Sequence, residues 1–320
     1  MTTTTTTTVE KEKIKRTPRF KRVAKDNIII NDRDREIITQ VHRHRFLTSA
    51  HITALIDGSQ QNIVRRLGLL YHAGYLDRPR EQISRAAYGQ PLVYGLGNKG
   101  AALLAEHLDL PRAKVDWTSK NREVGSVFLS HTLMIANFMV CLDLAARKRN
   151  LTVVWPDDVL EEMPPRNVRN GSPFKVDVTV PKNGQDVKIA VVPDAVFGLE
   201  EPNGAVSYFF LEADCSTMPI VRASFEKSSY YKKLVGYWTA KETGRIRDIF
   251  GWQNPRVLTL AISKDRIQNM IAANKDMDPR KTGFRLFYFA QARNFTVDDP
   301  DQVFKSIWLN GRAEPSSLLD

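Results

Sequence analysis

Apolar residues in the first third of the chain recur at helical spacing, in short segments separated by polar turns. The spacing of Ile37, Ile38 and Val41 predicts a first helix in RDREIITQVHRHR. Thr48 is a residue type that caps helices, and it precedes a short second helix, SAHITALI. A third helix is predicted in QQNIVRRLGLLYHAGYL, with Gly74 where a C-terminal glycine is favoured.

Two strand-like segments and a polar loop follow the third predicted helix. The strands are YLDRPR and PLVYGLG, and EQISRAAYGQ is the loop between them. Three short helices, a tight turn before the third and a strand–loop–strand after it resemble a winged helix-turn-helix domain over residues 31–108. This resemblance implies binding to double-stranded DNA, with the third helix in the major groove and the loop as the wing. A winged helix that binds another protein is the alternative.

The resemblance assigns DNA contacts to polar and basic residues of the third helix and the wing. Side chains of the helix would reach base edges or phosphates, and those of the wing would reach the backbone or the minor groove. The predicted contact residues are Ser59, Gln60, Gln61, Asn62, Arg65, Arg66, Arg78, Arg80 and Arg85.

A glycine pattern typical of dinucleotide-binding folds lies at the end of this segment. Gly95, Gly97 and Gly100 give the spacing G-x-G-x-x-G, and Asp116 follows near the distance of a ribose-binding acid. We reject this interpretation because the helix after the glycines is short, ending before Pro111, and AKVDW is a poor buried parallel strand. The three helices upstream explain PLVY as a wing strand instead.

The strongest helical pattern of the chain follows a polar segment, residues 109–125, that we interpret as a linker. SVFLSHTLMIANFMVCLDLAARKR carries an apolar stripe and ends with basic residues, as the helix dipole favours. His131 lies on or beside the stripe, and we interpret it as a packed histidine in preference to a catalytic one. The stripe consists of Phe128, His131, Ile135, Phe138, Met139 and Leu142.

Strand-like and helical segments alternate over the rest of the chain. The predicted strands are LTVVWP, FKVDVTVP, VKIAVVPDAVFGL, SYFFLEAD, PRVLTLAIS and GFRLFYFA. SFEKSSYYKKLVGYWTAKE and DRIQNMIAANK are predicted helices between the later strands. This order predicts an α/β domain with a mixed sheet over residues 126–310, followed by a loose tail at 311–320. Together with the winged helix, it makes the fold class of the chain α+β.

Three carboxylates lie on the two strands that flank the turn-rich segment EEPNG. Asp194 begins one strand, and Glu212 and Asp214 lie near the end of the next. The short turn predicts an antiparallel hairpin in which Asp194 lies opposite the other two acids, which share one face. Burying an ionised carboxylate is costly unless it is paired. The patch is therefore either a divalent-metal site or a repulsive defect.

This arrangement resembles the PD-(D/E)xK nuclease superfamily. The PD dipeptide ends at Asp194, Glu212 matches the second acid, and the order helix, hairpin, helix, strand fits the core of that superfamily. The resemblance implies Mg²⁺ held by Asp194, Glu212 and Asp214, and a catalytic lysine that helps to activate water. Because Asp214 occupies the lysine position, the lysine would have to come from the following helix. Lys233 is the first candidate and Lys227 the second, with ordinary surface lysines as the alternative.

Charge favours a nucleic-acid partner, since the 320-residue chain has a net charge of +11. The first 30 residues, a threonine tract and a basic segment, are predicted to be a disordered arm that either follows a phosphate backbone or is simply solvated. No apolar run approaches the ~20 residues that span a bilayer, and the N-terminus lacks the apolar core of a secretory signal. The two distant cysteines favour a reducing compartment. We expect a cytoplasmic protein without a membrane partner.

The order of these segments resembles the replication-relaxation family of plasmids and other mobile elements. The resemblance rests on the winged helix, SHTLMIANF, PDAVFGL, FFLEAD and KKLVGY, and it covers about residues 31–265. It implies a role in plasmid replication or DNA relaxation. The chain is then either an enzyme that nicks DNA with Mg²⁺, or an inactive winged-helix factor that recruits a replication or relaxation protein or regulates transcription. A homodimer is compatible with both hypotheses.

Overall fold

The computed structural model describes most of the chain. Most of the predicted arm at residues 1–30 lies outside the described residues, as does Arg85 of the predicted wing. The described residues form an N-terminal unit of helices with a small sheet, and a C-terminal unit built around a larger sheet. They are residues 19–23, 28–83, 89–107, 117–163, 172–182, 184–225 and 227–320.

The N-terminal unit contains the three predicted helices and a small antiparallel sheet. Its elements are α1 (Asp32–His44), β1 (Phe46–Thr48), α2 (Ser49–Leu55), α3 (Gln60–Ala73), β2 (Leu76–Asp77) and β3 (Val93–Leu96). The sheet order is β1-β3-β2, so the two strands predicted after α3 pair with each other and β1 adds to the free edge of β3. Strand β1 was not predicted, because three residues between two helices are too few to show an alternating pattern.

Local side-chain hydrogen bonds set the ends of these helices. Thr48 accepts a hydrogen bond of 3.1 Å from a backbone N–H three residues later, which confirms it as the N-cap of α2. Gly74 ends α3 with a φ of 89°, the left-handed conformation predicted for it. Asn31 and Asp34 exchange hydrogen bonds at the start of α1. Buried Asp34 also binds Arg66, so this cap ties α1 to α3.

Two glycines of the G-x-G-x-x-G segment are required by backbone packing. A Cβ atom at Gly97 would overlap the carbonyl oxygen of Gly74, and one at Gly100 would overlap that of Tyr75. The preceding strand, β3, is antiparallel to both of its neighbours, whereas a dinucleotide-binding unit needs a parallel strand there. The glycines thus let the end of α3 pack against the start of α4 (Asn98–His107).

Part of the predicted linker at residues 109–125 is helical. Helix α5 (Trp117–Arg122) packs on the small sheet, where Asn121 Nδ2 donates a hydrogen bond of 2.8 Å to the carbonyl oxygen of Leu96. The prediction of an irregular segment is wrong for these residues, because a helix of six residues is too short to show a period. Residues 109–116 lie outside the described part of the chain.

The C-terminal unit is built around a mixed sheet, as predicted. Its elements are α6 (Ser126–Lys148), β4 (Thr152–Val154), α7 (Pro156–Glu162), β5 (Val176–Lys182), β6 (Gln185–Val191), β7 (Ala195–Glu200), β8 (Val206–Asp214), α8 (Tyr230–Glu242), α9 (Arg245–Phe250), β9 (Arg256–Ala261), α10 (Lys264–Met277), β10 (Phe287–Gln291), β11 (Trp308–Asn310) and β12 (Pro315–Ser316). Within the described residues the strand order is β12-β11-β10-β9-β8-β7-β4. Strands β8, β9 and β10 run parallel and the other neighbours antiparallel, while β5 and β6 form a separate hairpin.

Apolar clusters cover both faces of the large sheet. Helix α6 packs on one face, where Phe138, Phe197, Phe209 and Trp308 are fully buried. Helices α8, α9 and α10 and the β5–β6 hairpin cover the other face around Phe210. Folding removes these large side chains from water on both faces of the sheet. The sheet is therefore the centre of the hydrophobic core. The α+β class with a mixed sheet is confirmed.

Two predictions for the C-terminal unit are wrong in detail. VKIAVVPDAVFGL forms two strands of different sheets, β6 and β7, because Pro193 between them cannot donate a ladder hydrogen bond. Residues 311–320 are not a loose tail, since β12 joins the sheet and Leu318 is 2% exposed. A strand of two residues is too short for its pattern to be read from the sequence.

Helix α6 belongs to the cores of both units. Its Ala136 and Val140 pack in the N-terminal core, whereas Phe138 packs in the C-terminal core. Between them, Asn137 Oδ1 lies 3.1 Å from His51 Nε2 of α2. The same side chain donates a hydrogen bond of 2.8 Å from Nδ2 to the carbonyl oxygen of Phe295. A single amide therefore links the two units.

The same helix is the one described helix that is long and apolar enough, by length and composition, to cross a membrane. The expectation that no run approaches that length is wrong by this criterion, because the charged residues of α6 are confined to its C-terminal part. Half of its most apolar window is buried inside the protein. A central helix of a folded core has the same composition.

The close approach at Gly97 gives a first prediction. Gly97→Ala is expected to lower the free energy of unfolding by roughly 1–3 kcal/mol, because the new methyl group overlaps a backbone oxygen that cannot move independently. Gly68→Ala, within α3, is the matched control. The nearest atom to a Cβ there is 3.9 Å away, so better helix propensity should stabilise the protein by about 0.5–1 kcal/mol. Urea denaturation measures both; equal stability of the two variants would contradict the packing argument.

Candidate functional site

The hairpin of β7 and β8 brings the three predicted acids to one cavity. The backbone N–H of Asp194 donates a hydrogen bond of 3.0 Å to the carbonyl oxygen of Leu211, which places Asp194 opposite Glu212 in the antiparallel register. Glu212 and Asp214 lie on the same face of β8. All three acids line a cavity of about 200 Å³, called the acid cavity below. Their predicted proximity is confirmed.

Glu212 is the most deeply buried of these acids, at 2% exposed. Tyr237 donates a hydrogen bond of 2.7 Å from its hydroxyl to Oε1, and Lys233 Nζ binds Oε2. Burial raises the pKa of the Glu212 carboxyl to about 7, against the opposing effects of Lys233 and Tyr237. Lys233 stays a cation because the charges of Glu212 and Asp194 raise its pKa more than burial lowers it.

Asp194 has two partners of its own. The backbone N–H of Ala213 donates a hydrogen bond of 2.8 Å to Oδ2, and His131 Nε2 of α6 lies 3.2 Å from the same oxygen. Burial alone would raise the pKa of the Asp194 carboxyl, but His131, Lys233 and the Ala213 N–H together hold it below its ordinary value. The hydrogen bond to Asp194 in turn raises the pKa of His131. Asp194 is therefore ionised at neutral pH.

Asp214 differs from the other two acids because Arg266 of α10 occupies both of its oxygens. The guanidinium forms a bidentate pair with two hydrogen bonds of 2.8 Å. A metal ligand needs free oxygen lone pairs, and here they face a fixed cation. Among the described residues, no three His, Cys, Asp or Glu side chains are placed to hold a metal together. This pairing argues against Asp214 as a third metal ligand, a role that stays a prediction.

The remaining donor set still suits Mg²⁺. Proteins bind this ion through one or two carboxylates and leave the other positions to water and to phosphate oxygens of the substrate. Asp194 and Glu212 provide two such carboxylates on one cavity, each held in place by hydrogen bonds. Lys233 binds one oxygen of Glu212 and Tyr237 the other, so a metal ion at Glu212 would compete with these two partners. Mg²⁺ binding by these two carboxylates stays a prediction.

The two candidate lysines lie in different places. Lys233 faces the acid cavity from the first turn of α8, one helical turn before Tyr237. Lys227 precedes the helix, is exposed, and is not among the described residues that line the cavity. The preference for Lys233 thus agrees with the geometry. Lys227 is outside the site because α8 begins only at Tyr230, after the N-cap Ser229.

Some of the predicted DNA-contact residues are exposed, and others are engaged in contacts within the N-terminal unit. On α3, the side chain of Ser59 caps the helix by accepting a hydrogen bond from the backbone N–H of Asn62. Arg33 of α1 adds an exposed cation beside Gly58, just before α3, which the sequence did not single out. The exposed predicted residues are Ser59, Gln60, Gln61, Asn62, Arg65 and Arg80.

Arg66 and Arg78 are engaged inside the N-terminal unit instead. Arg66 Nε donates a hydrogen bond of 2.7 Å to the fully buried Asp34. Arg78 is 8% exposed, donates to Tyr94 Oη at 3.0 Å and lies over the ring of Tyr71. Both arginines therefore already have partners inside the protein, which helical and loop spacing do not reveal, and their contact with DNA stays a prediction. Arg85 lies outside the described residues.

Three residues of the site were missed or misread from the sequence. His131 was interpreted as packed, yet it lines the acid cavity and holds Asp194. Tyr237 is not assigned a role in the site by the sequence. Its i, i+4 spacing from Lys233 was the signal that both reach one neighbour. Arg266 gave no signal, because its partner Asp214 is 52 residues away in the chain.

The Lys233–Glu212 pair gives a prediction about stability and pH. Lys233→Met removes the cation, so the folded-state pKa of Glu212 rises further above its ordinary 4.5. The unfolded chain then binds fewer protons than the folded one above pH 4.5, and stability falls as the pH rises. We expect the variant to lose about 3 kcal/mol at pH 8 and less at pH 5.

Urea denaturation of Lys233→Met at both pH values tests this expectation, with Lys227→Met as the matched control. The control removes an exposed lysine outside the cavity and should stay within about 0.5 kcal/mol of the wild type. A loss in Lys233→Met that is the same at pH 5 and pH 8 would show that Glu212 does not titrate in this range.

Comparison with known protein families gives a match to part of the chain. Residues 38–249 match the family model described as replication-relaxation, a segment that runs from α1 to α9. It includes His131, Asp194, Glu212 and Lys233 and ends before Arg266. No curated protein and no solved structure matches the chain. Because the matched segment is more than half of the sequence, the chain belongs to the replication-relaxation family.

Proposed function

We propose that this protein binds double-stranded DNA of a plasmid or mobile element and nicks one strand at the acid cavity. Membership in the replication-relaxation family supports a role in replication or relaxation of such DNA. The net charge of +11 supports a polyanionic partner. The N-terminal unit would position the protein on DNA, and the C-terminal unit would carry the chemistry.

The order of elements in each unit supports this division of labour. In the N-terminal unit, α1, β1, α2, α3, β2 and β3 follow the order of a winged helix, with α3 as the recognition helix. In the C-terminal unit, α6, then the antiparallel β4, β7 and β8, then α8 and the parallel β9 follow the PD-(D/E)xK core. Helix α7 and the β5–β6 hairpin are insertions between β4 and β7.

The observation that carries the proposal is the position of Lys233. The superfamily needs two acids and a lysine, and the lysine position two residues after Glu212 holds Asp214. Lys233 Nζ binds Glu212 from α8. An ammonium group therefore lies beside the two acids, although it comes from a different position in the chain than in the superfamily. A bound Mg²⁺ would polarise the phosphate and activate water. Lys233 would orient that water and stabilise negative charge on the phosphate, while His131 keeps Asp194 oriented and ionised.

A non-catalytic DNA-binding factor is the second candidate, and one observation favours it. Each acid of the cavity already has a basic side chain of the protein beside it: Lys233 for Glu212, His131 for Asp194 and Arg266 for Asp214. A site neutralised in this way is stable without a metal ion. In that case the protein would act by recruiting a replication or relaxation protein.

Nicking of supercoiled plasmid DNA with Mg²⁺ or Mn²⁺ separates the two candidates. Asp194→Asn, Glu212→Gln and Lys233→Met are each expected to reduce the rate by roughly 100-fold or more, because each removes a group that acts on the phosphate or the water. Lys227→Met is the control and should nick at close to the wild-type rate. Conversion to open circles on a gel is the measurement.

The outcomes of this experiment differ clearly. Loss of nicking in the three site variants, with DNA binding retained, supports the enzyme. Nicking by all variants at the wild-type rate would place the activity elsewhere. If the wild type binds the element's own DNA but does not nick it with either metal, the protein is a DNA-binding factor and the hydrolysis proposal fails.

Two neighbouring arginines of α3 test the DNA interface. Arg65→Gln is expected to weaken duplex binding and to reduce the slope of log affinity against log salt by about 1, because one phosphate contact is lost. Arg66→Gln should instead lower the free energy of unfolding by about 3 kcal/mol, since Asp34 loses its ion pair while fully buried. Fluorescence anisotropy and urea denaturation measure the two effects. An Arg65→Gln variant with unchanged affinity and slope would argue against α3 as the recognition helix.

A further inference from the structure

A second cavity opens beside the acid cavity, between the two units. It has a volume of about 420 Å³, which is in the range of small-ligand sites. His131 and Asp194 line both cavities, so the two adjoin at these residues. Three aromatic residues from different elements also line it: Phe128, Trp155 and Phe174. We call this second cavity the aromatic pocket.

Phe128 offers an open ring at this pocket. Its spacing puts it on the predicted apolar stripe of α6, but its side chain is 53% exposed. Within the described part of the chain it stacks on no other ring, whereas Phe174 stacks on Phe250 and Trp155 makes an edge contact with His44. An exposed phenylalanine on a ligand-sized pocket is a platform for a flat apolar partner.

The C-terminal end of α1 brings positive charge to the same pocket. Arg43 and Arg45 line it, and the Arg43 guanidinium lies 4.5 Å from the centre of the Trp155 ring. Arg45 has a φ of 66°, a left-handed conformation that is strained for an arginine. Stacking rings together with guanidinium groups are the combination that recognises single-stranded nucleic acid.

Two polar atoms at this end of α1 have unmet hydrogen-bonding capacity. Arg45 Nη1 and His44 Nε2 are buried and have no hydrogen-bond partner among the described residues. Burial lowers the pKa of His44 to about 3, so its ring is neutral and can donate or accept. Buried polar atoms are normally paired. A ligand with a polar edge, such as a nucleobase, would provide such partners.

We propose that the aromatic pocket holds an unpaired nucleobase of the DNA strand whose phosphate reaches the acid cavity. This inference rests on the proposed function and adds the substrate class: a strand that is locally single-stranded at the cleavage position. A base within a duplex cannot stack on Phe128, because its two faces are covered by its neighbours. The base would lie on Phe128, with Arg43 or Arg45 against the adjacent phosphate.

Binding of a short fluorescently labelled single-stranded DNA to the full chain, in EDTA, tests the pocket without any cleavage. Phe128→Ala is expected to weaken this binding by roughly 5- to 100-fold, the effect of losing one base–aromatic stack. Val127→Ala is the matched control, because Val127 is its neighbour on α6, is 59% exposed and does not line the pocket. Phe128→Tyr keeps the ring and should bind like the wild type.

The binding of duplex DNA separates this inference from the proposed function. Phe128→Ala should leave duplex affinity unchanged, whereas Arg65→Gln should weaken duplex binding and leave single-strand binding unchanged. If Phe128→Ala and Val127→Ala bind single-stranded DNA with equal affinity, the aromatic pocket is not a nucleobase site. The same conclusion follows if the wild type does not bind single strands. If the wild type does not nick DNA but Phe128→Ala still weakens single-strand binding, the proposal of strand cleavage fails and the single-strand site is supported.

Discussion

The C-terminal unit depends on the burial of one carboxylate, that of Glu212. An acid in the middle of a sheet face needs compensation for its lost hydration, and both compensating groups come from α8, one turn apart. Lys233 and Tyr237 can reach Glu212 together only if α8 lies close against β8. Gly236 lies between them in the sequence and lets α8 pack closely against β6 as well. A Cβ at this position would lie 2.5 Å from the side chain of Val191. The position of α8, and with it the acid cavity, follows from satisfying this one group.

The site is also a meeting point of elements that are far apart in the chain. His131 comes from α6, Asp194 from the start of β7, Glu212 from β8 and Lys233 from α8. Pro193 has a specific part in this, because it ends β6 and lets the chain enter the large sheet at Asp194. The backbone N–H of Ala213 then fixes the Asp194 carboxylate, so its orientation does not depend on His131 alone.

Much of the fold could be predicted from the sequence, and the failures share a cause. Long periodic segments such as α6 and local signals such as Thr48 and Gly74 were correct, because period and capping are properties of neighbouring residues. Short elements such as β1, α5 and β12 were missed, since they contain too few residues to show a pattern. In the site, the proximity of Asp194 and Glu212 followed from one hairpin. The roles of Arg66, Arg78 and Arg266 did not, because each depends on a partner brought near only by tertiary packing.

The side-chain amide of Asn137 makes one hydrogen bond to each unit. Apolar residues of α6 on either side of it pack in the cores of both units. A flexible linker would let the two units sample many separations, but this connection holds them at one. If α3 reads a DNA sequence and the acid cavity acts on a strand, the distance between the two events along the DNA is set by the protein. The product would then carry a break at a constant number of base pairs from the sequence that α3 recognised.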